Sequence, residues 1–147
     1  MWIVPTADDL AQTLSQLEIN AFRTSGANDG SDPAERLVFS TAEFVRSHLR
    51  TNGCVALSPE RGSIPESLLI PAMDYAAYQV LKRKPVPVEQ DRRDAYRAAC
   101  ELFDKIASRK LTPESYGAGE AENTGTIAVE VVNKSRQRVT AAKLEGL

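Results

Sequence analysis

Apolar positions recur at helical spacing in four stretches of this chain, and turn-forming residues separate the stretches. Thr6 to Asp9 has the shape of a capping box, with Asp9 in the place usually held by Glu. Leu10, Leu14 and Leu17 follow at helical intervals. Ser15 and Glu18 repeat the cap signature, so the first helix is predicted to break near residue 15 and to restart toward Arg23. The stretch 24–33, TSGANDGSDP, is turn chemistry throughout and predicts a mobile surface loop. Asp32 then caps a second helix that has Pro33 in its first turn. Val38, Ala42, Val45 and Leu49 fall at i, i+4, i+7 and i+11, an apolar stripe that Leu37, Phe44 and His48 broaden. Asn52-Gly53 supplies a left-handed stop.

The segment 54–65, CVALSPERGSIP, has no period and predicts a loop with one short extended piece. A third helix starts at Ser63 or Pro65, or near residue 70 if Pro71 has to sit in its first turn. Leu69, Met73 (or Ala72), Ala76 and Val80 mark its buried stripe, with Tyr75 and Tyr78 on the shoulders. Lys82, Arg83 and Lys84 suit the negative end of its dipole, and Pro85 and Pro87 force a stiff connection. The fourth helix is predicted over 89–110, with Tyr96, Ala99, Phe103 and Ile106 facing the core and Cys100 and Ala107 widening that face. Alanines 72, 76 and 77 against alanines 95, 98 and 99 predict close approach of the third and fourth helices as an antiparallel hairpin.

After Thr112-Pro113 the composition shifts to a glycine-rich, acidic linker, SYGAGEAENTGT. Beyond it, Ile127, Val129, Val131 and Val132 form a β-branched stretch with no evident partner strand within the chain. The predicted fold class is therefore mainly α. Residues 1–112 form a small bundle of about four helices around a central antiparallel hairpin, and 113–147 form a linker and an extended arm that adds a β-strand to a partner.

Length and composition narrow the function classes. One domain fits 147 residues, and 42% hydrophobic with 26% charged residues is ordinary for a globular chain. The formal charge of −2 gives no global attraction to nucleic acid or to an anionic membrane. No window approaches the roughly 20 apolar residues of a membrane span, and MWIVPTADDL does not resemble an export signal. Cys54 and Cys100 are expected as reduced thiols in packing positions; they lack CxxC spacing, and the single His48 cannot complete a zinc set with them. The acidic residues near the first helix suit its dipole, and no phosphate-binding glycine motif is present. No catalytic, cofactor or metal site is predicted.

The basic residues carry more information. Residues 82–110 hold nine Lys or Arg against five acids. Lys82, Arg83, Lys84, Arg92 and Arg93 form the candidate basic cluster, set against a solvated face with i,i+4 pairs such as Glu89–Arg93 and Arg97–Glu101. Repeated around a ring of copies, so modest a cluster would gain weight. A small helical DNA-binding or regulatory protein is the alternative, although no helix-turn-helix spacing supports it.

Four segments together carry a resemblance. They are the opening PTADDLAQTLSQLEINAFRT and the helix ending HLRTNG; the helix carrying Pro65, Leu69, Ala76, Tyr78 and Leu81; and a last helix ending on Leu102, Ile106, Ala107, Arg109 and Lys110. In this layout, over about residues 3 to 112, the chain resembles the head–tail connector (adaptor) proteins of tailed bacteriophages, the Mu-like group. It departs from that pattern in the polar 24–33 loop, the long C-terminal segment, and Ser108 and Arg109 where the family often has glycine. The resemblance implies a structural virion protein at the neck. It would form a ring, commonly of twelve copies, between the portal protein and a stopper or tail protein, with a channel passing DNA without sequence specificity and no membrane contact. It also implies that the C-terminal segment docks on a partner, so Ile127, Val129, Val131, Val132, Arg136 and Arg138 are the expected inter-subunit or partner contacts.

Overall fold

Two capping boxes set the entry to the fold. The computed structural model describes residues 1–26 and 30–117. Within it the Thr6 N–H donates to Asp9 Oδ2 at 2.8 Å, and the turn that follows, Ala7–Gln12, is a 3-10 helix. At Ser15 the chain restarts: its N–H donates to Glu18 Oε2 at 2.9 Å, the Glu18 N–H returns to Ser15 Oγ at 3.3 Å, and α1 runs Gln16–Gly26. The predicted break near residue 15 is present. It moves one residue, because Leu10 and Leu14 are buried while Leu17 is 82% exposed. The phase of the first turn does not carry across the break. In α1 the buried positions are Ile19 and Phe22, and Leu17 lies two residues, about 200° of helix rotation, from Ile19. Helix α1 also continues through Thr24 and Ser25, which were assigned to the loop. Residues 27–29 of that predicted loop lie outside the described residues.

Helix α2, Pro33–Asn52, begins where expected. Asp32 Oδ1 accepts from the Ala34 N–H at 3.0 Å, and Pro33 occupies the first position. Arg23 of α1 donates to both Asp32 oxygens at 3.1 Å, tying the cap to the preceding helix. The stripe Val38, Ala42, Val45, Leu49 is fully buried. Gly53 closes the helix with φ 75°, its N–H on Leu49 O, a conformation that an L side chain resists.

The extended piece in the following loop is β2, Ile64–Pro65, which pairs antiparallel with β1, Trp2–Ile3, in the register Trp2↔Pro65 and Ile3↔Ile64. The N-terminus therefore covers the start of the third helix. After a 3-10 turn at Glu66–Leu68, α3 spans Leu69–Leu81, with Pro71 inside its first turn where it breaks no helical bond. Helix α4 spans Gln90–Ala107 with Glu89 at its N-cap, shorter at each end than predicted.

The helices α3 and α4 are the most extensively packed pair. Tyr78 meets Tyr96 while Tyr75 meets Phe103, so the helices run antiparallel. The core collects Val38, Val45 and Leu49 of α2, Met73, Ala76 and Val80 of α3, Ala99, Phe103 and Ile106 of α4, and Leu10 of the first turn. The fold is thus a small, mainly α bundle with a central hairpin, and its packed unit runs Met1–Tyr116. Beyond Thr112 the chain still pairs with the loop: Tyr116 N–H donates to Ala56 O at 2.8 Å, and Ala56 N–H donates to Ser115 Oγ at 3.1 Å.

Candidate interaction surface

Most of the polar side chains buried in the fold hold loops in place. Arg46, 5% exposed on α2, donates to Ser58 O at 2.9 Å and Ser63 O at 2.8 Å, clamping the middle and the far end of the aperiodic loop. Its Nε has no hydrogen bond of its own but sits 3.5 Å from Glu43 Oε1, which also accepts from the Gly62 N–H at 2.8 Å. Asn52, wholly buried, donates to Ile106 O at 2.7 Å and accepts from the Cys54 N–H at 3.0 Å. Arg109, with φ 64°, donates through Nε to Asn52 O at 2.8 Å. These residues were not singled out as a site. The signal for Asn52 was visible, since it continues the stripe 45, 49, 52 as an amide among aliphatics. Arg46 abuts the same stripe, four residues from Ala42.

On the other face of α2 lies an aromatic stack. Phe44 stacks on Tyr75 at 4.8 Å, Tyr75 leans on Tyr96 at 5.4 Å, and Tyr96 stacks on Tyr78 at 4.0 Å between ring centroids. His48 sits 4.5 Å from Phe44 and shares a hydrogen bond through Nδ1 with Phe44 O at 2.9 Å. The Tyr96 phenol, hydrogen-bonded to the Cys100 thiol and partly buried, is pushed up to about 12. Burial also raises Tyr75. Both cysteines are free; Cys100 is half-buried, but Cys54 is exposed, because its loop position faces solvent once Asn52 has taken its N–H. Among the described residues no group of three or more His, Cys, Asp or Glu side chains is placed to hold a metal ion. None of the helices described is long and apolar enough to cross a membrane.

The candidate basic cluster divides. Lys82, Arg83 and Lys84 are all exposed at the hairpin tip, with the Arg83 guanidinium 5.2 Å over the Phe22 ring. Arg92 is half-buried and faces inward: it donates to Thr13 O and pairs with Glu18 Oε2 at 3.8 Å, fastening α4 to the first two turns. That pairing, together with the Ser15 N–H as the larger cause, holds the Glu18 carboxyl below its ordinary value against the opposing effect of burial. Arg93 donates to Gln90 Oε1 at 2.8 Å and Arg97 lies 3.9 Å from Asp94 Oδ1. The partners are thus three residues back, where i,i+4 pairs with Glu89 and Glu101 were expected. Glu89 sits at the cap with extended backbone, and helical side chains lean toward the N-terminus. The arm residues Ile127, Val129, Val131, Val132, Arg136 and Arg138 lie outside the described residues.

A furrow runs along the α3–α4 seam. Ala95, Ala98 and Ala99 floor a shallow cleft of about 390 Å³ rimmed by Pro71, Glu101, Leu102 and Lys105. It adjoins a second cleft of about 220 Å³ between Thr13, Tyr78 and Asp91. Ala98 was expected inside the hairpin and is exposed, so the small residues that let the axes approach also leave this groove. Asp74 lies where the clefts meet. It has no hydrogen bond or ion pair within the described unit, and desolvation raises its carboxyl above the ordinary value although Arg92 pulls the other way. Comparison with family models, with curated proteins and with solved structures finds no match for this chain.

Proposed function

We propose that the chain is a structural, ring-forming head–tail adaptor of a tailed phage, seated between portal and stopper or tail proteins around a DNA channel. The observation that carries this is the arrangement of the hairpin. The helices that bear the family-like phrases pack as one antiparallel unit, and they present three exposed cations at its tip. Buried Arg46 and Asn52 serve loop geometry, which fits a surface used for docking. In a ring of copies the tip cations recur with the symmetry of the ring, and phosphates passing within a Debye length of roughly 8 Å feel their sum. The residues beyond Tyr116 serve in this reading as the arm that attaches to portal or to a neighbouring subunit.

Mass measurement of the purified chain, alone and mixed with portal protein, tests the proposal. Ring-sized species or a stoichiometric portal complex are expected. A persistently monomeric species that ignores portal refutes it, and salt-dependent binding of short duplex DNA by the monomer would move the assignment to a DNA-binding protein.

A further inference from the structure

The hairpin carries two complementary features at different places along its length, an acidic furrow and a basic tip. The first is the seam furrow, with its alanine floor and the unpaired Asp74 carboxylate where its two clefts meet. Glu101 and Asp91 stand on its rims beside Lys105 and Arg92, so with Asp74 the lining carries one more acid than base. The second is the tip, where Val86 is 67% exposed and projects from the proline-stiffened loop beside the exposed Lys82 and Lys84. Lys82 has no ion pair within the described unit, whereas Lys84 lies near enough to Glu18 to help lower its carboxyl. Lys82 follows Asp74 by eight residues, about 12 Å along the helix axis, beyond the reach of a lysine side chain. One copy therefore cannot bring its own tip to its own furrow.

We propose that the hairpin tip of one copy seats in the α3–α4 furrow of the next, Val86 on the alanine floor and a tip lysine against Asp74. Such a contact joins unlike surfaces, head to tail. Repeated by rotation it closes into a ring, and otherwise it runs on as a filament. Apolar contact between valine and alanine supplies burial, while the ammonium group supplies the counter-ion that a desolvated carboxylate lacks. Arg92 acts on Asp74 only from a distance, since its guanidinium is held by Thr13 O and Glu18. This inference rests on the ring reading and names the surfaces that would form the ring.

The experiment uses the full chain and reads its oligomeric state by sedimentation up to millimolar concentration. It compares wild type, the furrow variant Asp74→Lys, and the tip variant carrying Lys82→Glu and Lys84→Glu. Wild type is expected to self-associate, and each variant alone to do so roughly tenfold more weakly or worse. The two variants mixed in equal amounts should recover wild-type association, because each brings the intact surface that the other lacks and the reversed charges face each other. Circular dichroism checks that each variant is folded. Should Asp74→Lys unfold the chain, Ala98→Arg blocks the furrow from an exposed position and serves in its place. Unchanged association of both variants overturns the tip-in-furrow contact while leaving the ring reading intact. A wild type that stays monomeric at every concentration also overturns it, and the portal mixture then decides the ring reading separately.

Discussion

Two regions of the bundle are held by different forces. At one end, the loop 53–65 and the last turn of α4 are fixed by Arg46, Asn52, Glu43 and Arg109, nearly all through backbone carbonyls and N–H groups. At the other, α3 and α4 meet through Ala76, Ala77, Ala99, Phe103 and stacked tyrosines, and no hydrogen bond crosses the seam among the described residues. The difference follows from the backbone. A helix satisfies its own peptide groups and offers only side chains to a neighbour. An aperiodic loop leaves peptide groups unpaired, and folding it over the core requires polar side chains to meet them.

Breaking the polar end should cost most. Arg46→Ala removes donors from two carbonyls and leaves Glu43 without its buried partner, so a loss of about 3–5 kcal/mol is expected from urea unfolding. A cost under about 1 kcal/mol would show that water replaces the guanidinium freely. Next in size is Asn52→Ala. Three hydrogen bonds end there, and unsatisfied buried groups cost roughly 1–3 kcal/mol; hydrogen exchange at Cys54 should accelerate selectively.

The apolar end yields to volume. Ala76 is fully buried, and Ala76→Phe should lower stability by about 1–3 kcal/mol through overpacking of the hairpin. An unchanged melting temperature would place that side chain outside the seam. The smallest expected effect belongs to Glu18, which ties the start of α1 to α4 through Arg92. Its folded pKa is depressed, so the stability it contributes is present above the ordinary carboxylate range and is lost as pH falls through the folded value. Glu18→Gln should therefore flatten the acid side of the stability profile and leave the profile near the ordinary carboxylate value and above offset by a constant. A parallel acid limb in the variant would exclude this role.

Much of the helical framework was legible in the residues. Pro33 after Asp32, the stripe from Val38 to Leu49, Gly53, and the restart at Ser15 are all local signals, and each is found at its expected place. The candidate surface was legible in part. The tip cations are exposed as a charge run predicts, while Arg92 has the same side chain and turns inward, because Thr13 O and Glu18 happen to lie opposite it. Leu17 was misplaced by carrying one helical phase through a break, and Ala98 by assuming that every small residue on a packed helix faces the partner.

What the sequence determined alone is the helices, their caps and their apolar faces, since those depend on residues three or four apart. Tertiary structure decided the rest: that Arg46 reaches Ser58 and Ser63, that Met1–Ile3 covers Ile64–Glu66, and that Asp74 lies unpaired in a groove. Each of these joins positions far apart along the chain, or concerns what no neighbour fills. A hydrogen bond is short and directional, so only the folded arrangement of the backbone fixes which distant groups come within reach.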